Sequence, residues 1–279
     1  MTVDQYLKLS SAKLKSAGIK SARLDTLILF EDVLSINRAR LLAEPEFEIT
    51  KAQQRKLNNL LNKRLDHTPL AYLRGSTEFY GTTFFVNNHV LVPRPESETI
   101  IDLLIEISKD DVFRQRTIRI VDVGTGCGAL GITAKQNVAN SEVELIDNDK
   151  NALKVAKINV DKLTPGVNLI CSDLLSQAGK KYDIVLANLP YVPDQHCINS
   201  EAKHEPHQAI YSGKTGLEHY IRLLAQVKKL KKPPLYLLFE AFPSQHADLV
   251  DLAKKSGYRL YKTDHFVVVL KLKNTDKYY

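Results

Sequence analysis

From about residue 96 onward, short runs of β-forming apolar residues alternate with segments of helical periodicity. The helical spacing covers 97–107, a stretch from about Ala129, then 152–163, 217–230 and 244–255. The β-type runs cover 118–123, 143–146, 168–171, 182–187, 235–239, 258–261 and 266–272. Strands separated by crossover helices pair in parallel and need both faces covered, so this alternation predicts an α/β fold with a doubly wound, mostly parallel sheet. Sheets of this kind bind ligands beyond the carboxyl ends of their strands, where the strand order reverses. The residues just after each strand are therefore where function is to be sought.

The first 75 residues read differently. Thr2 with Gln5, and Thr50 with Gln53, have the spacing of a capping box. Between and after them lie apolar sets at helical intervals: Tyr6, Leu7 and Leu14; Leu24, Leu27, Ile28, Val33 and Leu34; Leu57, Leu60, Leu61 and Leu65. Pro45 interrupts the pattern. A small bundle of short amphipathic helices is expected, and with no catalytic cluster in it, it suits recognition better than chemistry. Residues 76–95 change character again. Phe79, Phe84, Phe85 and Val86, then Val90, Leu91 and Val92, are β-formers, with Asn87-Asn88 as the turn signal between them. A hairpin is expected there, running into the extended Pro93-Arg94-Pro95. The expected domains are thus 1–75, a helical module; 76–95, a linking hairpin; and 96–279, the α/β domain.

Hydrophobic residues make up 44% of 279 residues, enough to build cores for about two domains. No run approaches the ~18 apolar residues of a membrane span, and no basic-then-apolar leader opens the chain, so no membrane association is expected. Three cysteines without Cys-x-x-Cys spacing argue against a disulfide framework or a metal site and fit a cytoplasmic location. The net charge of +7 is unevenly spread. Residues 1–85 carry 13 Lys/Arg against 9 Asp/Glu, 86–227 carry 15 against 18, and 228–279 carry 11 against 5. The central part is mildly acidic between basic ends.

Three strand ends carry the chemistry. The run 118–123 is followed by Gly124-Thr125-Gly126-Cys127-Gly128. Glycines there permit a tight turn and close approach of a ligand to backbone at a helix start. The run 143–146 is followed by Asp147, 23 residues after Gly124, where an acid can accept from both ribose hydroxyls of an adenosine-containing cofactor. A dinucleotide remains open on these two features alone. The run 182–187 ends in Asn188-Leu189-Pro190-Tyr191. An Asn carbonyl and a neighbouring backbone carbonyl can each accept one N–H of a planar amino group, with the Tyr ring packed on its plane. Alone, such a tetrapeptide is an ordinary Asn-Pro turn; one strand beyond an adenosine-cofactor site it gains meaning.

With these motifs the chain resembles the bacterial peptide chain release factor glutamine methyltransferases (HemK/PrmC family), which are class I S-adenosylmethionine-dependent enzymes. The likeness runs from Arg64 and Pro69-Leu70-Ala71-Tyr72 through Glu78-Phe79-Tyr80-Gly81 and Val90-Leu91-Val92-Pro93-Arg94-Pro95-Glu96-Ser97-Glu98 to the three strand ends, then Glu205-Pro206, Ser212-Gly213 and Gly216-Leu217. The resemblance implies a seven-stranded catalytic sheet and a helical domain that helps to hold a class I release factor. It implies transfer of a methyl group to the amide nitrogen of the glutamine in a Gly-Gly-Gln motif. Gly124, Thr125, Gly126, Cys127 and Gly128 would carry the methionine part of S-adenosylmethionine, Asp147 the ribose, Asp173 and Leu174 the adenine, and Asn188 would border the cofactor. Asn188, Leu189, Pro190 and Tyr191 would hold the substrate, with Asn188 and Tyr191 as the catalytic pair. A monomer is expected, with no metal and no nucleic-acid substrate. The alternatives are methylation of a ribosomal-protein glutamine, of an adenine amino group in rRNA or DNA, or a non-catalytic binding module. The chain departs from the family pattern at Leu189, usually proline, at Cys127, commonly Ser or Thr, and at Leu174, often aromatic.

Overall fold

The computed structural model describes residues 2–177, 179 and 181–273. Met1 and the last six residues of the expected 96–279 domain lie outside the described residues. The chain divides into two compact units, Met1–Ser76 with Ile198–His204, and Thr77–Cys197 with Glu205–Tyr279.

The first unit is built on α1 (Val3–Ser16), α2 (Ala22–Leu34), α3 (Arg38–Ala43), α4 (Lys51–Leu65) and α5 (Leu70–Arg74). Both expected capping boxes form. Thr2 caps α1 and Thr50 caps α4, each exchanging hydrogen bonds with the Gln three residues on. The core gathers Tyr6, Leu14, Leu27, Phe30, Leu34, Leu57 and Leu61, with Tyr6 edge-on to Phe30 at 5.3 Å. Leu24 is 47% exposed, because the buried stripe of α2 runs through Ala22, Thr26, Leu29, Phe30 and Val33 instead. At the centre lies Arg64, 1% exposed. Its Nε donates to Asp25 Oδ2 at 2.7 Å, and its Nη2 pairs with Glu201 of the 198–204 segment. A buried guanidinium is tolerated only when paired in this way.

The second unit opens with a hairpin of β1 (Ser76–Phe79) and β2 (Thr82–Phe85). The expected turn at Asn87-Asn88 is not the hairpin turn. That role falls to Tyr80-Gly81, which adopt φ of 50° and 70°, the paired positive angles of a two-residue hairpin loop. Residues 90–92 do not form a strand. Val90 N–H closes the Asn87 turn, and Val92 N–H reaches the buried Glu205 carboxylate.

Beyond the hairpin follow α6 (Glu98–Ile107), β3 (Ile118–Val123), α7 (Ala129–Asn137), β4 (Ser141–Asp147), α8 (Lys150–Leu163), β5 (Asn168–Cys171), β6 (Ile184–Ala187), α9 (Glu218–Lys228), β7 (Tyr236–Glu240), α10 (His246–Lys255), β8 (Tyr258–Asp264) and β9 (Val267–Leu272). The strands form one seven-stranded sheet in the order β5-β4-β3-β6-β7-β9-β8. The five from β5 to β7 are parallel and the last pairings antiparallel. Central strands are apolar throughout, as expected when both faces are covered: every residue of β6 and β7 is buried. The chain steps outward from β3 to β4 to β5, then returns to the other side of β3 as β6, so the order reverses between β3 and β6.

Asn159 of α8 ties the hairpin to the turn after β3. Its Oδ1 accepts from Phe85 N–H at 2.7 Å, and its Nδ2 donates to Phe85 O at 2.9 Å and Cys127 O at 2.8 Å. It is fully buried, so its loss strands three polar groups. Asn159→Leu should lower stability by about 1–3 kcal/mol, the usual cost of an unsatisfied buried group. A urea midpoint equal to that of the parent, at equal slope, would contradict this role.

Candidate active site

Parallel register aligns the strand ends. Val123 pairs with both Ile146 and Ala187, Ala187 pairs with Phe239, and Asp147 pairs with Cys171. The positions one step further, Gly124, Asp147, Asn188 and Glu240, therefore form a row across the top of the sheet, spanning the reversal point. A pocket opens over this row. Gly124, Thr125, Gly126, Cys127, Asp147, Asp173, Leu174, Asn188, Leu189 and Pro190 all line it, so most residues expected from the sequence come together. Gly128 and Tyr191 are not among its lining residues.

On the β3 side the turn is held by carboxylates. Asp122 is buried, and its Oδ2 accepts from Thr125 Oγ1 at 2.5 Å and Gly131 N–H at 2.9 Å. Asp147 Oδ2 accepts from Gly126 N–H and Oδ1 from Asp149 N–H, both at 2.9 Å. Burial raises the Asp147 pKa, while these N–H donors oppose the rise. A carboxylate has about four acceptor positions, so these donors do not exhaust it and capacity remains for a ligand. Asp149, rather than Asp147, caps α8. Cys127 is buried and its thiol is pushed up to about 12 by burial, so it stays protonated at neutral pH and is no nucleophile.

Beyond β5 the Asp173 carboxylate is paired with Arg222 of α9. Leu174 is buried at a left-handed φ of 53°, a conformation rare for a branched residue. Gln226 of α9 holds that turn by accepting Leu175 N–H at 2.7 Å. His219, also lining the pocket, meets Ser212 Oγ at 2.6 Å through Nδ1, and burial lowers its pKa.

The Asn188 turn is fixed from behind. Asn188 Nδ2 donates to Ser97 Oγ at 2.8 Å. Leu189 N–H donates to Tyr220 Oη at 3.2 Å, and the single Tyr220 hydroxyl proton points between the carbonyls of Glu240, at 2.5 Å, and Ala187, at 3.2 Å, the nearer being its main acceptor. Tyr191 donates its hydroxyl proton to Glu240 Oε1 at 3.0 Å, and its ring meets Phe242 edge-on at 5.0 Å. Gln245 Nε2 donates to Tyr191 O at 2.9 Å. Tyr220, Glu240, Gln226 and Gln245 escaped the sequence reading, and Ser97 entered it only within the Val90 to Glu98 run, without a role. Glu240 alone left a signal, as an acid directly after an apolar β-run. Among the described residues, no three His, Cys, Asp or Glu side chains gather as metal ligands would.

Comparison with known proteins adds a second line of observation. The model of the PrmC N-terminal domain matches residues 5–75, and that of the methyltransferase small domain matches residues 101–210. The release factor glutamine methyltransferase of Bacillus subtilis (strain 168) is 32% identical over 91% of this chain and 90% of its own length. That of Coxiella burnetii (strain RSA 493 / Nine Mile phase I) is 31% identical over 93% of this chain and 92% of its own. Among solved structures, the human Mettl16 catalytic domain in complex with the MAT2A 3'UTR hairpin 6 superposes with a TM-score of 0.54 at 14% identity, covering 80% of this chain and 82% of that one. At that identity the likeness speaks for the fold alone.

Burial, helped by nearby Asp147, raises the Asp122 pKa to about 6 despite the Thr125 and Gly131 donors. An unfolded Asp titrates near ~3.9. Because the folded value is the higher one, the stability Asp122 contributes is full below about pH 4 and is lost as pH rises through about 6. Asp122→Asn should remove that loss. Denaturation midpoints compared at pH 4.5 and 7 should therefore fall less with rising pH in the variant than in the parent. A difference between the two proteins that is constant with pH would refute the assignment.

Proposed function

Because the chain belongs to the release factor glutamine methyltransferase family, we propose that it methylates the side-chain amide nitrogen of the glutamine in the Gly-Gly-Gln motif of peptide chain release factors. Its methyl donor is S-adenosylmethionine. The strand-end residues fit that cofactor. Gly124 at φ 74° brings the turn so close to Leu189 that a Cβ would stand 2.7 Å from its Cδ2, leaving bare backbone at the pocket wall. Asp147 has acceptor capacity left for a ribose, and Leu174 with Leu130 and Ala152 offers apolar surface suited to an adenine. Asp173 gives Oδ2 to Arg222, which leaves its Oδ1 and the backbone of its turn for the adenine role expected of it.

The observation that carries the reading is the Asn188–Ser97 hydrogen bond. With Nδ2 given to Ser97, the group Asn188 retains for a ligand is Oδ1, an acceptor. The Leu189 carbonyl, next to a peptide pinned by Tyr220, is the second acceptor. Two fixed acceptors match the two N–H groups of a primary carboxamide. An amide nitrogen is a weak nucleophile because its lone pair is delocalised into the carbonyl. Bound S-adenosylmethionine supplies a methyl group on a positively charged sulfur. Asn188 and Leu189 orient the amide nitrogen toward that carbon and accept more strongly as its N–H groups become acidic. Attack by the nitrogen makes its N–H protons acidic; Asn188 Oδ1 and the Leu189 carbonyl hold them, and the one that is lost passes to solvent water. Positioning and preorganised acceptors of this kind can each contribute several kcal/mol. Tyr191 supports the turn through Glu240 and Phe242, which favours a scaffolding role for its ring over direct packing on the amide.

We place the protein in the cytoplasm, acting as a monomer without a nucleic-acid substrate. No helix among the described residues is long and apolar enough to cross a membrane. The helical unit is read as the part that holds the release factor away from the reacting glutamine. Its groove between α1 and α3 carries apolar Leu7, Leu41 and Leu42 beside the cations Lys15 and Arg23.

Incubation with labelled cofactor and release factor, ribosomal protein or rRNA tests the function directly: label should enter the release factor. Asn188→Ala should cut single-turnover transfer by about 10²–10³-fold, by analogy with losing one preorganised hydrogen bond, and leave S-adenosylhomocysteine affinity little changed. Near-normal transfer would mean that the amide is held elsewhere. Reversing charge with Lys15→Glu and Arg23→Glu together should raise KM for the intact factor with kcat preserved, and leave a short Gly-Gly-Gln peptide unaffected. An unchanged KM would remove this groove from recognition.

A further inference from the structure

Glu240 ends β7 beside Asn188 and is 1% exposed. The reaction as derived above does not use it. An acid in so dry a place is costly unless its partners need it. One oxygen, Oε1, accepts the Tyr191 hydroxyl at 3.0 Å. The other, Oε2, is buried without a hydrogen-bond partner among the described residues. Burial raises the Glu240 pKa; the Ser97 and Tyr191 hydroxyls oppose that rise, Glu96 adds to it, and the Asn188 amide opposes it. Tyr191 and Asn188, the two ends of the Asn188 turn, thus flank this carboxyl, one by its hydroxyl and one by strand register.

Hydrogen-bond polarity gives the arrangement its meaning. A carboxylate only accepts. A serine hydroxyl has one proton to give and lone pairs with which to receive. Ser97, 3% exposed, already accepts from Asn188 Nδ2, which leaves its own proton to give, and the nearby acid with a lone pair still to fill is Glu240, whose buried Oε2 lies one strand over from Asn188. Asn188 is the one member that can turn round, since its oxygen and nitrogen have nearly the same shape. We propose that Glu240 is a positioning residue: as an acceptor-only anchor it draws the Ser97 proton, obliges Ser97 to receive from Asn188 Nδ2, and so turns Asn188 Oδ1 toward the substrate. The proposal rests on the glutamine-methylating function above and deepens it, because it explains discrimination. A glutamine side chain brings N–H donors to Oδ1. A glutamate at the same place brings only acceptors and is repelled. Were Asn188 reversed, its N–H₂ would face the pocket and the preference would weaken or invert.

Glu240→Gln tests this with almost no change of shape. Its new N–H₂ can donate to Ser97, which frees the serine proton to point at Asn188 and lets that amide turn. Two substrates are compared, the release factor and the same factor with its target glutamine replaced by glutamate, each measured for binding by calorimetry in the presence of S-adenosylhomocysteine. Single-turnover methyl transfer is followed on the first. In the variant, the glutamine-over-glutamate preference should shrink by roughly tenfold or more, as expected when a site loses one specific polar contact. Transfer should fall by about 10²-fold. S-adenosylhomocysteine affinity should stay within about twofold of the parent. Ser97→Ala, which breaks the relay without touching Glu240, should lose the same preference, and the double variant should be no worse than Ser97→Ala alone. A folded Glu240→Gln protein that keeps both the preference and the rate overturns the proposal, as do losses that add in the double variant. If the parent itself fails to methylate the release factor, it is the function that is wrong, and the Glu240 comparison is not what decides it.

Discussion

Parallel pairing in unbroken register places four unlike residues, Gly124, Asp147, Asn188 and Glu240, in one row at the top of the sheet. None of them is near another in sequence beyond this pairing. A one-residue slip of β6 against β3 would point Asn188 to the opposite face and remove it from the pocket, since side chains alternate along a strand. The apolar, fully buried β6 and β7 resist such a slip, and their register is what the chemistry depends on.

Behind the row stands a set of buried and half-buried polar side chains whose partners are all backbone groups. Tyr220 receives Leu189 N–H and passes its own proton to the carbonyl at the end of β7, Asn159 links the hairpin to the turn after β3, and Gln226 holds the left-handed Leu174 turn. In a low-dielectric interior such networks are strong when complete and costly when broken, so they fix geometry more firmly than apolar packing would. Leu189 shows the effect. A proline there would have stiffened the turn by its ring; the leucine keeps an N–H instead, and Tyr220 receives it. Rigidity lost from the backbone is recovered by a hydrogen bond.

The sheet was legible because strand and helix periodicities differ, and because glycines, acids and the Asn-Pro turn fall directly after apolar runs. The hairpin was misread for a physical reason. Val90 and Val92 are β-formers buried as loop residues, Val92 with its N–H on Glu205, and propensity alone cannot separate burial from pairing. Ser97, Tyr220 and Gln226 were illegible because their roles arise from α6 and α9 packing over the strand ends, a juxtaposition that no local pattern encodes. Glu240 had the same signature as Asp147, an acid after a β-run, yet its partners lie about 50 and 140 residues away along the chain, farther than any motif reaches.

Residues 198–204 follow the Asn188 turn in sequence but group with the helices, where Glu201 meets Arg64. The chain therefore passes between the two units at 76/77, 197/198 and 204/205. A protease nick at the first of these leaves the helices still gripping a loop that belongs, by connectivity, to the other unit. Taking the helices away altogether leaves Glu201 without its guanidinium and gives slack to the strand of chain between Tyr191 and Pro206. The helical unit is in this sense a clasp sewn through the catalytic chain: evolution could exchange it for another recognition module only by rewriting that loop as well.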